Sequence, residues 1–201
     1  MDMQAKGVPK VTVSYTGIII AGGQSRRFGS PKAFAKLEGK PLYSYSISIL
    51  NKYCSSIVLV TNSSLEQSFK QENLAVQVIQ DIKKYQGQGP LAGIFSAMTK
   101  VTDEWYMVLP IDVPFMQEWV IEELIYQLDD SYEAIVPVVN GKKQPLVALY
   151  HQSLRNRIEE NLQQGKRSLD QLLTNAKVKY LTNIEDENPF ININHREDFP
   201  E

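Results

Sequence analysis

A glycine-rich, basic segment directly follows the first apolar run of the chain, Gly17-Ile18-Ile19-Ile20-Ala21. From Gly22 to Leu37 there is no acidic residue, but there are four cations: Arg26, Arg27, Lys32 and Lys36. Glycine lets a backbone approach a ligand closely, arginine grips phosphate oxygens with a planar fork, and lysine adds a mobile positive charge. The segment predicts a polyphosphate site, although a solvated surface loop could have the same composition.

The glycine spacing excludes two common nucleotide-binding motifs. The Gly-x4-Gly-Lys-Ser/Thr pattern of a P-loop does not occur, and Gly22, Gly23 and Gly29 lack the Gly-x-Gly-x-x-Gly spacing of a dinucleotide fingerprint. If this segment binds phosphates, it does so as a loop of another type.

A second group of candidate ligand contacts begins at Asp81, which follows an apolar run. A polar loop, residues 82–88, comes next and could form a lid over a ligand. Gly89 and Gly93 then leave room for a ring or a backbone to approach closely. The same residues also fit an ordinary helix start with Pro90 in its first turn.

A rigidly held carboxylate is predicted at Asp112, which lies between Pro110 and Pro114 directly after another apolar run. Mg²⁺ takes oxygen ligands, commonly one or two carboxylates together with substrate phosphates. Asp112 is therefore a candidate Mg²⁺ ligand, and a helix cap or turn aspartate is the alternative.

Two asparagines near the end of the chain, Asn192 and Asn194, alternate with apolar residues. Their side chains would share one face, and an amide oxygen there could complete a metal shell. Turn residues at a strand end are the alternative. His151 and His195 are far apart and have no cysteine neighbours, so surface or cap roles are expected rather than zinc binding.

The elements that must position these residues alternate between strands and helices. The predicted strands are 15–21, 56–61, 76–80, 104–109, 133–139, 144–150, 177–182 and 190–193. The predicted helices are 41–53, 64–71, 91–100, 117–128, 154–162 and 168–173. Between two late strands, Asn140-Gly141 is typical of a β-hairpin.

This alternation predicts a single-domain, Rossmann-like, three-layer α/β/α fold with a mostly parallel, twisted sheet and a late antiparallel hairpin. Ligands of such sheets bind at the carboxyl ends of the strands. The glycine-rich segment, Asp81 and Asp112 all follow predicted strands, so they are expected at one edge of the sheet. One domain is expected over residues 15–201, preceded by a flexible leader at residues 1–14.

The bulk composition narrows the class of protein. The 201-residue chain has a net charge of -2, which argues against non-specific nucleic-acid binding. Its single cysteine, Cys54, cannot form an internal disulfide and is expected to be a small core residue. No signal-peptide pattern and no apolar run of membrane-spanning length occur. We expect a cytoplasmic protein that binds neither nucleic acid nor membranes.

The order of the motifs resembles a known family. The motifs are Ile20-Ala21-Gly22-Gly23-x-Ser25-x-Arg27-Phe28-Gly29-x-x-Lys32, Gly89-Pro90-Leu91-Ala92-Gly93, Pro110-x-Asp112-x-Pro114, Gln144-Pro145-Leu146-x-Ala148-Leu149-Tyr150 and Asn192-Ile193-Asn194-x-x-Glu197-Asp198. The first is similar to the signature loop of nucleotidyltransferases with a glycosyltransferase-A-like, nucleotide-diphospho-sugar transferase fold. The set, from about Gly17 to Phe199, resembles the molybdenum cofactor guanylyltransferases (MobA).

Three of these positions separate the guanylyltransferases from the related molybdopterin cytidylyltransferases. The cytidylyl family usually has Leu-Ala-Ala-Gly, a serine-rich segment and Asp-Gln-Pro at the corresponding places. This chain instead has Gly22-Gly23, Pro90-Leu91 and Asp112-Val113-Pro114. The resemblance therefore favours guanylyl transfer.

The resemblance implies transfer of GMP from GTP to the terminal phosphate of the molybdenum-molybdopterin cofactor, with release of pyrophosphate and with Mg²⁺ as cofactor. Arg27, Lys32 and Asp112 would carry the reaction, and Asp112 would bind Mg²⁺ with Asn194 as a second ligand. The implied nucleotide contacts are Ile20, Ala21, Gly22, Gly23, Lys32, Asp81, Gly89, Gly93 and Asp112. Asp81 is the candidate for guanine, since one carboxylate can accept both the N1–H and the N2 amino group.

The acceptor site is expected over the later half of the sheet, with Gln144, Arg167 and Asn192 as pterin contacts. Arg167 fits a surface residue at a helix start equally well. Cofactor-delivery proteins and molybdoenzymes are further expected partners. Two alternatives stay open: another nucleotidyltransferase on the same fold, acting on molybdopterin with CTP or on a sugar phosphate, and a non-catalytic nucleotide-binding domain.

Overall fold

The computed structural model describes residues 14–23, 28–29 and 31–199. The expected leader at residues 1–14 lies outside this range apart from Ser14. The strands are β1 (Tyr15–Ile20), β2 (Lys36–Leu37), β3 (Lys40–Pro41), β4 (Ser56–Thr61), β5 (Gln77–Gln80), β6 (Trp105–Pro110), β7 (Ala134–Val139), β8 (Lys142–Lys143), β9 (Ala148–His151) and β10 (Val178–Leu181). The helices are α1 (Leu42–Leu50), α2 (Ser63–Gln71), α3 (Pro90–Lys100), α4 (Glu118–Tyr126), α5 (Leu154–Gln163) and α6 (Leu169–Thr174).

The main sheet has the strand order β5-β4-β1-β6-β9-β7-β10, with β8 paired to β7. Neighbouring strands are parallel from β5 to β6 and between β7 and β10. Only β9 runs antiparallel to both of its neighbours, β6 and β7. The order reverses at β1, because β4 lies on one side and β6 on the other, and this reversal opens a crevice at the carboxyl ends.

Helices cover both faces of the sheet, because the central strands are apolar on both sides. Ile19, Leu59 and Met107 point to the face that packs against α1, α2 and α4. On the opposite face, the intervening residues of the same strands pack against α3, α5 and α6. This arrangement confirms the predicted three-layer α/β/α fold.

The late hairpin is also confirmed. Val139 pairs with Lys142 across a two-residue loop, and Asn140 and Gly141 have φ angles of 49° and 73°. Asparagine and glycine tolerate this left-handed region, which hairpin turns of this length require. The side chain of Asn140 also donates to the Glu187 carboxylate.

Two predicted strands differ from the structure. Of the run 144–150, only the end from Ala148 is a strand, because the chain turns at Gln144, where Val147 N–H donates to the Gln144 carbonyl over 3.0 Å. The run 190–193 is not a ladder strand. A short 3-10 turn, Asn188–Phe190, precedes an extended stretch in which Ile193 is fully buried in a third apolar cluster with Phe28. Its apolar pattern reflects packing over the strand ends.

Among the described residues, no helix combines the length and the apolar character that crossing a membrane requires.

Candidate active site

A cleft of about 720 Å³ opens at the carboxyl ends of the central parallel strands. Its described lining residues are Ile20, Gly22, Gly23, Phe28, Lys32, Val60, Asp81, Gly87, Gly89, Pro90, Gly93, Pro110, Ile111, Asp112, Leu146 and Asn194. The site residues predicted at the carboxyl end of each strand therefore meet in one place. Arg26 and Arg27 lie outside the described residues.

Gly22 and Gly23 form the first wall of the cleft, directly after β1. Their φ angles are not in the left-handed region. Among the described residues, a Cβ added at Gly23 would meet nothing within 4 Å, and one at Gly22 would meet the Thr61 backbone at 3.8 Å. Neither backbone conformation nor packing requires glycine here, so the missing side chains leave room for a ligand close to the main chain.

A polar cluster at the floor of the cleft joins three distant parts of the sequence. Lys32, only 9% exposed, donates from Nζ to Asp112 Oδ2 over 2.9 Å and to Asn194 Oδ1 over 3.1 Å. The backbone supports this arrangement, because Ile193 N–H donates to the Asp112 carbonyl over 2.9 Å. A cation, a carboxylate and an amide oxygen therefore converge on one point.

This donor set fits a hard divalent cation. A carboxylate and an amide oxygen are ligands that Mg²⁺ accepts, and substrate phosphates commonly complete its shell. Within the described residues, no group of three or more His, Cys, Asp or Glu side chains could hold a metal alone. The protein oxygens of Asp112 and Asn194 suit a cation that arrives with a phosphorylated substrate.

Asp198 holds Asn194 in place, a role that was not predicted from the sequence. Its Oδ2 accepts the backbone N–H groups of Asn194 and His195 over 2.6 and 2.7 Å. These hydrogen bonds, the one from His195 first, hold the pKa of Asp198 below its ordinary value. His195 caps the 3-10 turn Arg196–Asp198, as expected for a cap residue.

Asp81 forms the opposite side of the cleft. Its Oδ2 accepts the Gly87 N–H over 3.2 Å, and burial raises the pKa of its carboxyl group. A Cβ at Gly93, in α3, would lie 3.1 Å from the Ile20 side chain and 3.7 Å from Asp81 Oδ1. Glycine at position 93 therefore keeps the space beside the Asp81 carboxylate open.

The loop at residues 82–88 is anchored at its centre. Tyr85 is buried, packs edge-on against Phe95 with ring centroids 5.4 Å apart, and donates its hydroxyl to Glu159. At the start of the loop, Ile82 N–H donates to Ser96 Oγ over 2.8 Å. Two residues after Tyr85, Gly87 lines the cleft.

Several predicted contacts lie away from the described lining. Ala21 is 1% exposed, and its N–H donates to the Val60 carbonyl over 2.8 Å. Of the two predicted contacts at the end of β1, only Ile20 is among the described residues that line the cleft. Gln144 bonds to the Lys142 carbonyl, and Asn192 bonds to the Phe190 carbonyl. Arg167 is exposed in the link between α5 and α6. From the motif around Gln144, the residue that lines the cleft is Leu146.

His151 lies away from the cleft, in the antiparallel strand β9. Its ring packs beside Trp105, and its Nδ1 is 2.9 Å from Ser153 Oγ. Cys54, predicted as a core residue, is half-buried and packs against the edge of the core.

Comparison with known proteins identifies the family of the chain. A family model described as the MobA-like NTP transferase domain matches residues 17–179. A relative from Bacillus cytotoxicus, named probable molybdenum cofactor guanylyltransferase, is 39% identical over 191 residues, which cover 94% of this chain and 96% of the relative. A relative of the same name from Bacillus cereus is 38% identical, covering 92% of this chain and 94% of its own.

Solved structures show the same relationship. The molybdopterin-guanine dinucleotide biosynthesis protein A from Archaeoglobus fulgidus has a TM-score of 0.74 and 26% identity, covering 91% of this chain and 94% of its own. The bifunctional IspDF from Campylobacter jejuni, at 17% identity, shares only the fold, with a TM-score of 0.72 over 92% of this chain and 53% of its own. The chain therefore belongs to the family of MobA-like nucleotidyltransferases.

Proposed function

We propose that this chain transfers GMP from GTP to the terminal phosphate of the molybdenum-molybdopterin cofactor, releasing pyrophosphate and forming the guanine dinucleotide cofactor. The observation that carries the proposal is the convergence of Lys32, Asp112 and Asn194 in a cleft whose other side presents the Asp81 carboxylate. The names of the Bacillus and Archaeoglobus relatives support the choice of both substrates.

In the proposed reaction, an oxygen of the acceptor phosphate attacks the α-phosphorus of GTP. A new P–O bond forms, and the bond from the α-phosphorus to the oxygen bridging it to the β-phosphorus breaks, with the electron pair leaving on pyrophosphate. The acceptor phosphate is already ionised at neutral pH, so the chain need not supply a general base. Catalysis of this kind rests on positioning and on stabilising charge.

Each polar residue of the cleft would have a separate role in this reaction. Lys32 and Arg27 would hold the triphosphate, and the backbone amides of Gly22 and Gly23 would support it. Asp112 and Asn194 would hold Mg²⁺, which would supply positive charge to stabilise the negative charge that develops during the transfer. Lys32 donates to both of these residues, and its ammonium group, with three N–H donors, would also reach a phosphate oxygen of the bound nucleotide.

Base selection would come from the Asp81 side. Guanine presents two adjacent donors, N1–H and the N2 amino group, and cytosine offers no such pair, so a single carboxylate discriminates between them. Ile20, Gly89 and Gly93 would make room for the ring and the ribose. With GTP as donor, the proposed reaction belongs in the cytoplasm, and molybdoenzymes or delivery proteins would take up the product.

Calorimetric titration with GTP, CTP, ATP and UTP in the presence of Mg²⁺ tests the substrate, with Asp112→Ala as the control. Clear preference for GTP is the expected result, followed by pyrophosphate release when the molybdopterin acceptor is added. Preference for another base would leave the proposed phosphate chemistry in place but would show that GTP is not the nucleotide donor. GTP binding without pyrophosphate release in the presence of acceptor would favour a non-catalytic domain.

A further inference from the structure

Asn62 lies at the junction of β4 and α2, behind the glycine-rich wall of the cleft. We infer that Asn62 is a positioning residue, which orients the Gly22–Gly23 peptide for phosphate binding. The inference rests on the proposed function for the identity of the ligand. Asn62 is not among the described residues that line the cleft, so its effect on a ligand would pass through the main chain.

The Asn62 side chain uses both ends of its amide group. Its Nδ2 donates to the Gly22 carbonyl over 3.1 Å. Its Oδ1 accepts the backbone N–H groups of Ser64 and Leu65, over 3.0 and 3.2 Å, and the Ser64 hydroxyl over 2.6 Å. If the oxygen and the nitrogen were exchanged, the amide NH₂ group would face the N–H groups of Ser64 and Leu65, and the amide oxygen would face the Gly22 carbonyl. These partners therefore determine the orientation of the Asn62 amide.

The hydrogen bond to Gly22 determines where the next amide points. In a planar trans peptide, the carbonyl of Gly22 and the N–H of Gly23 project to opposite sides of the same unit. Holding the carbonyl against Asn62 therefore directs the Gly23 N–H away from Asn62, and both glycines border the cleft. Two consecutive glycines would otherwise sample many conformations. A hydrogen bond from a residue outside this segment is therefore needed to hold the Gly23 N–H in one orientation.

A plain helix cap is the competing explanation, because asparagine is a favoured N-cap residue and α2 begins directly after Asn62. The two roles use different atoms, and substitutions can separate them. Asn62→Asp keeps the acceptor that caps α2 but has no donor for Gly22. Asn62→Ser also keeps a good cap without adding charge, and its shorter side chain cannot span both partners. Ser63→Asp, at an exposed position in the same first turn, controls for the added charge.

Two ligands show where in the cleft Asn62 acts. Tripolyphosphate with Mg²⁺ probes the phosphate-binding backbone alone, and GTP with Mg²⁺ adds the base and the ribose. For Asn62→Asp and Asn62→Ser, we expect the dissociation constants of both ligands to rise about tenfold, the size of a lost hydrogen bond near the upper end of its usual range. The melting temperatures should stay at the wild-type value, and Ser63→Asp should bind both ligands like the wild type.

A matched variant on the other side of the cleft completes the test. Asp81→Asn should weaken GTP binding but leave tripolyphosphate binding unchanged. The inference fails if Asn62→Ser binds tripolyphosphate as tightly as the wild type does, or if the wild type does not bind it at all. It also fails if Asn62→Asp and Ser63→Asp lose affinity equally. If the wild type instead prefers CTP or ATP, the proposed donor is wrong, while the tripolyphosphate result still decides the role of Asn62.

Discussion

Two aspartates flank the same strand, β6, and meet opposite surroundings. Before the strand, Asp103 Oδ2 accepts the hydroxyls of Ser14 and Thr16 over 3.1 and 2.9 Å, and its Oδ1 accepts the Glu104 N–H. After the strand, Asp112 meets the Lys32 ammonium in the cleft. The Asp103 carboxylate accepts hydrogen bonds from neutral donors at or beside the ends of neighbouring strands. The Asp112 carboxylate is paired with an ammonium group that could also bind a substrate phosphate.

The difference shows how to separate a structural carboxylate from a functional one on the same element. Thr16 is fully buried in β1, and its hydroxyl also lies 3.0 Å from Ser56 Oγ, so the Asp103 network ties adjacent strands together at their amino ends. The Asp112 network draws its partners from the 3-10 turn that begins at Lys32 and from the late chain segment around Asn194. We therefore expect substitutions of Asp103 to affect stability and substitutions of Asp112 to affect activity.

The largest expected effect is that of Asp112→Ala on turnover. Losing a group that acts on transition-state charge typically costs about 10²–10³-fold in rate. The unfolding free energy should fall as well, because the substitution removes the carboxylate partner of the largely buried Lys32 ammonium, so the loss of rate is the distinguishing effect. Pyrophosphate release and urea unfolding measure the two quantities. A variant that keeps its rate but unfolds easily would reverse the assignment.

Asp103→Ala should instead affect stability alone. It leaves the Ser14 and Thr16 hydroxyls without their carboxylate acceptor, and a loss of about 1–3 kcal/mol in unfolding free energy is expected. GTP affinity should stay at the wild-type value, since Asp103 lies at the far end of β6. Urea unfolding and calorimetry with GTP test both halves. Unchanged stability together with weakened GTP binding would show that Asp103 has a functional role rather than a structural one.

Asp81→Asn removes a charge on the side of the cleft away from Asp112. It should weaken GTP binding by roughly 1–3 kcal/mol, as for a lost charged hydrogen bond, without abolishing the contacts proposed for Asp112. Calorimetry with GTP measures the loss, and CTP serves as the control ligand. Equal GTP affinity in the variant and the wild type would remove Asp81 from base recognition.

The same carboxyl group predicts a pH dependence. Burial raises the pKa of Asp81, so its proton returns at a higher pH than for an exposed aspartate. The ionised form is the one proposed to accept the guanine donors, so GTP affinity should fall as the pH decreases through this raised pKa. Titrations at decreasing pH should show this loss in the wild type and not in Asp81→Asn. A matching decline in both proteins would assign the effect to another group.

A smaller change is expected in the reactivity of the Cys54 thiol, which lies near Asp103. Burial first, and the negative charge of Asp103 second, raise the pKa of its thiol to about 12. The thiolate is the reactive form, so native Cys54 should react slowly with Ellman's reagent at neutral pH. Asp103→Asn should speed the reaction modestly, because burial remains. A native thiol that reacts as fast as the unfolded chain would contradict this assignment.

The sequence predicted the site best where a residue directly follows a strand. Gly22, Asp81 and Asp112 were expected at one edge because parallel strands bring their carboxyl ends together, and the structure places all three in the cleft. The contact of Asn194 with Lys32 depends on how the last segment returns over the sheet, and no local periodicity encodes that path. The hypothesis that Asn194 is a metal ligand came from a family resemblance for the same reason.

Other differences have local causes. The apolar alternation around Leu146 resembles a strand, but Gln144-Pro145 turns the chain, and ladder pairing starts only at Ala148. Asn62 leaves no signal in the sequence beyond that of a helix cap, because its second hydrogen bond reaches Gly22 from a different strand–helix connection.

The antiparallel strand β9 has a consequence for how the chain is made. This four-residue strand inserts between β6 and β7, which both precede it, and its Tyr150 pairs with Tyr106 on one side and Ala134 on the other. During synthesis, a chain that has emerged only as far as α4 carries β6 as an open sheet edge, the kind of surface on which chains aggregate. The amino-terminal half, which supplies most of the described residues that line the cleft, therefore has the β6 edge covered only when β9 pairs with it. Its completion waits for a pairing with distant residues, which makes folding slow relative to local helix formation.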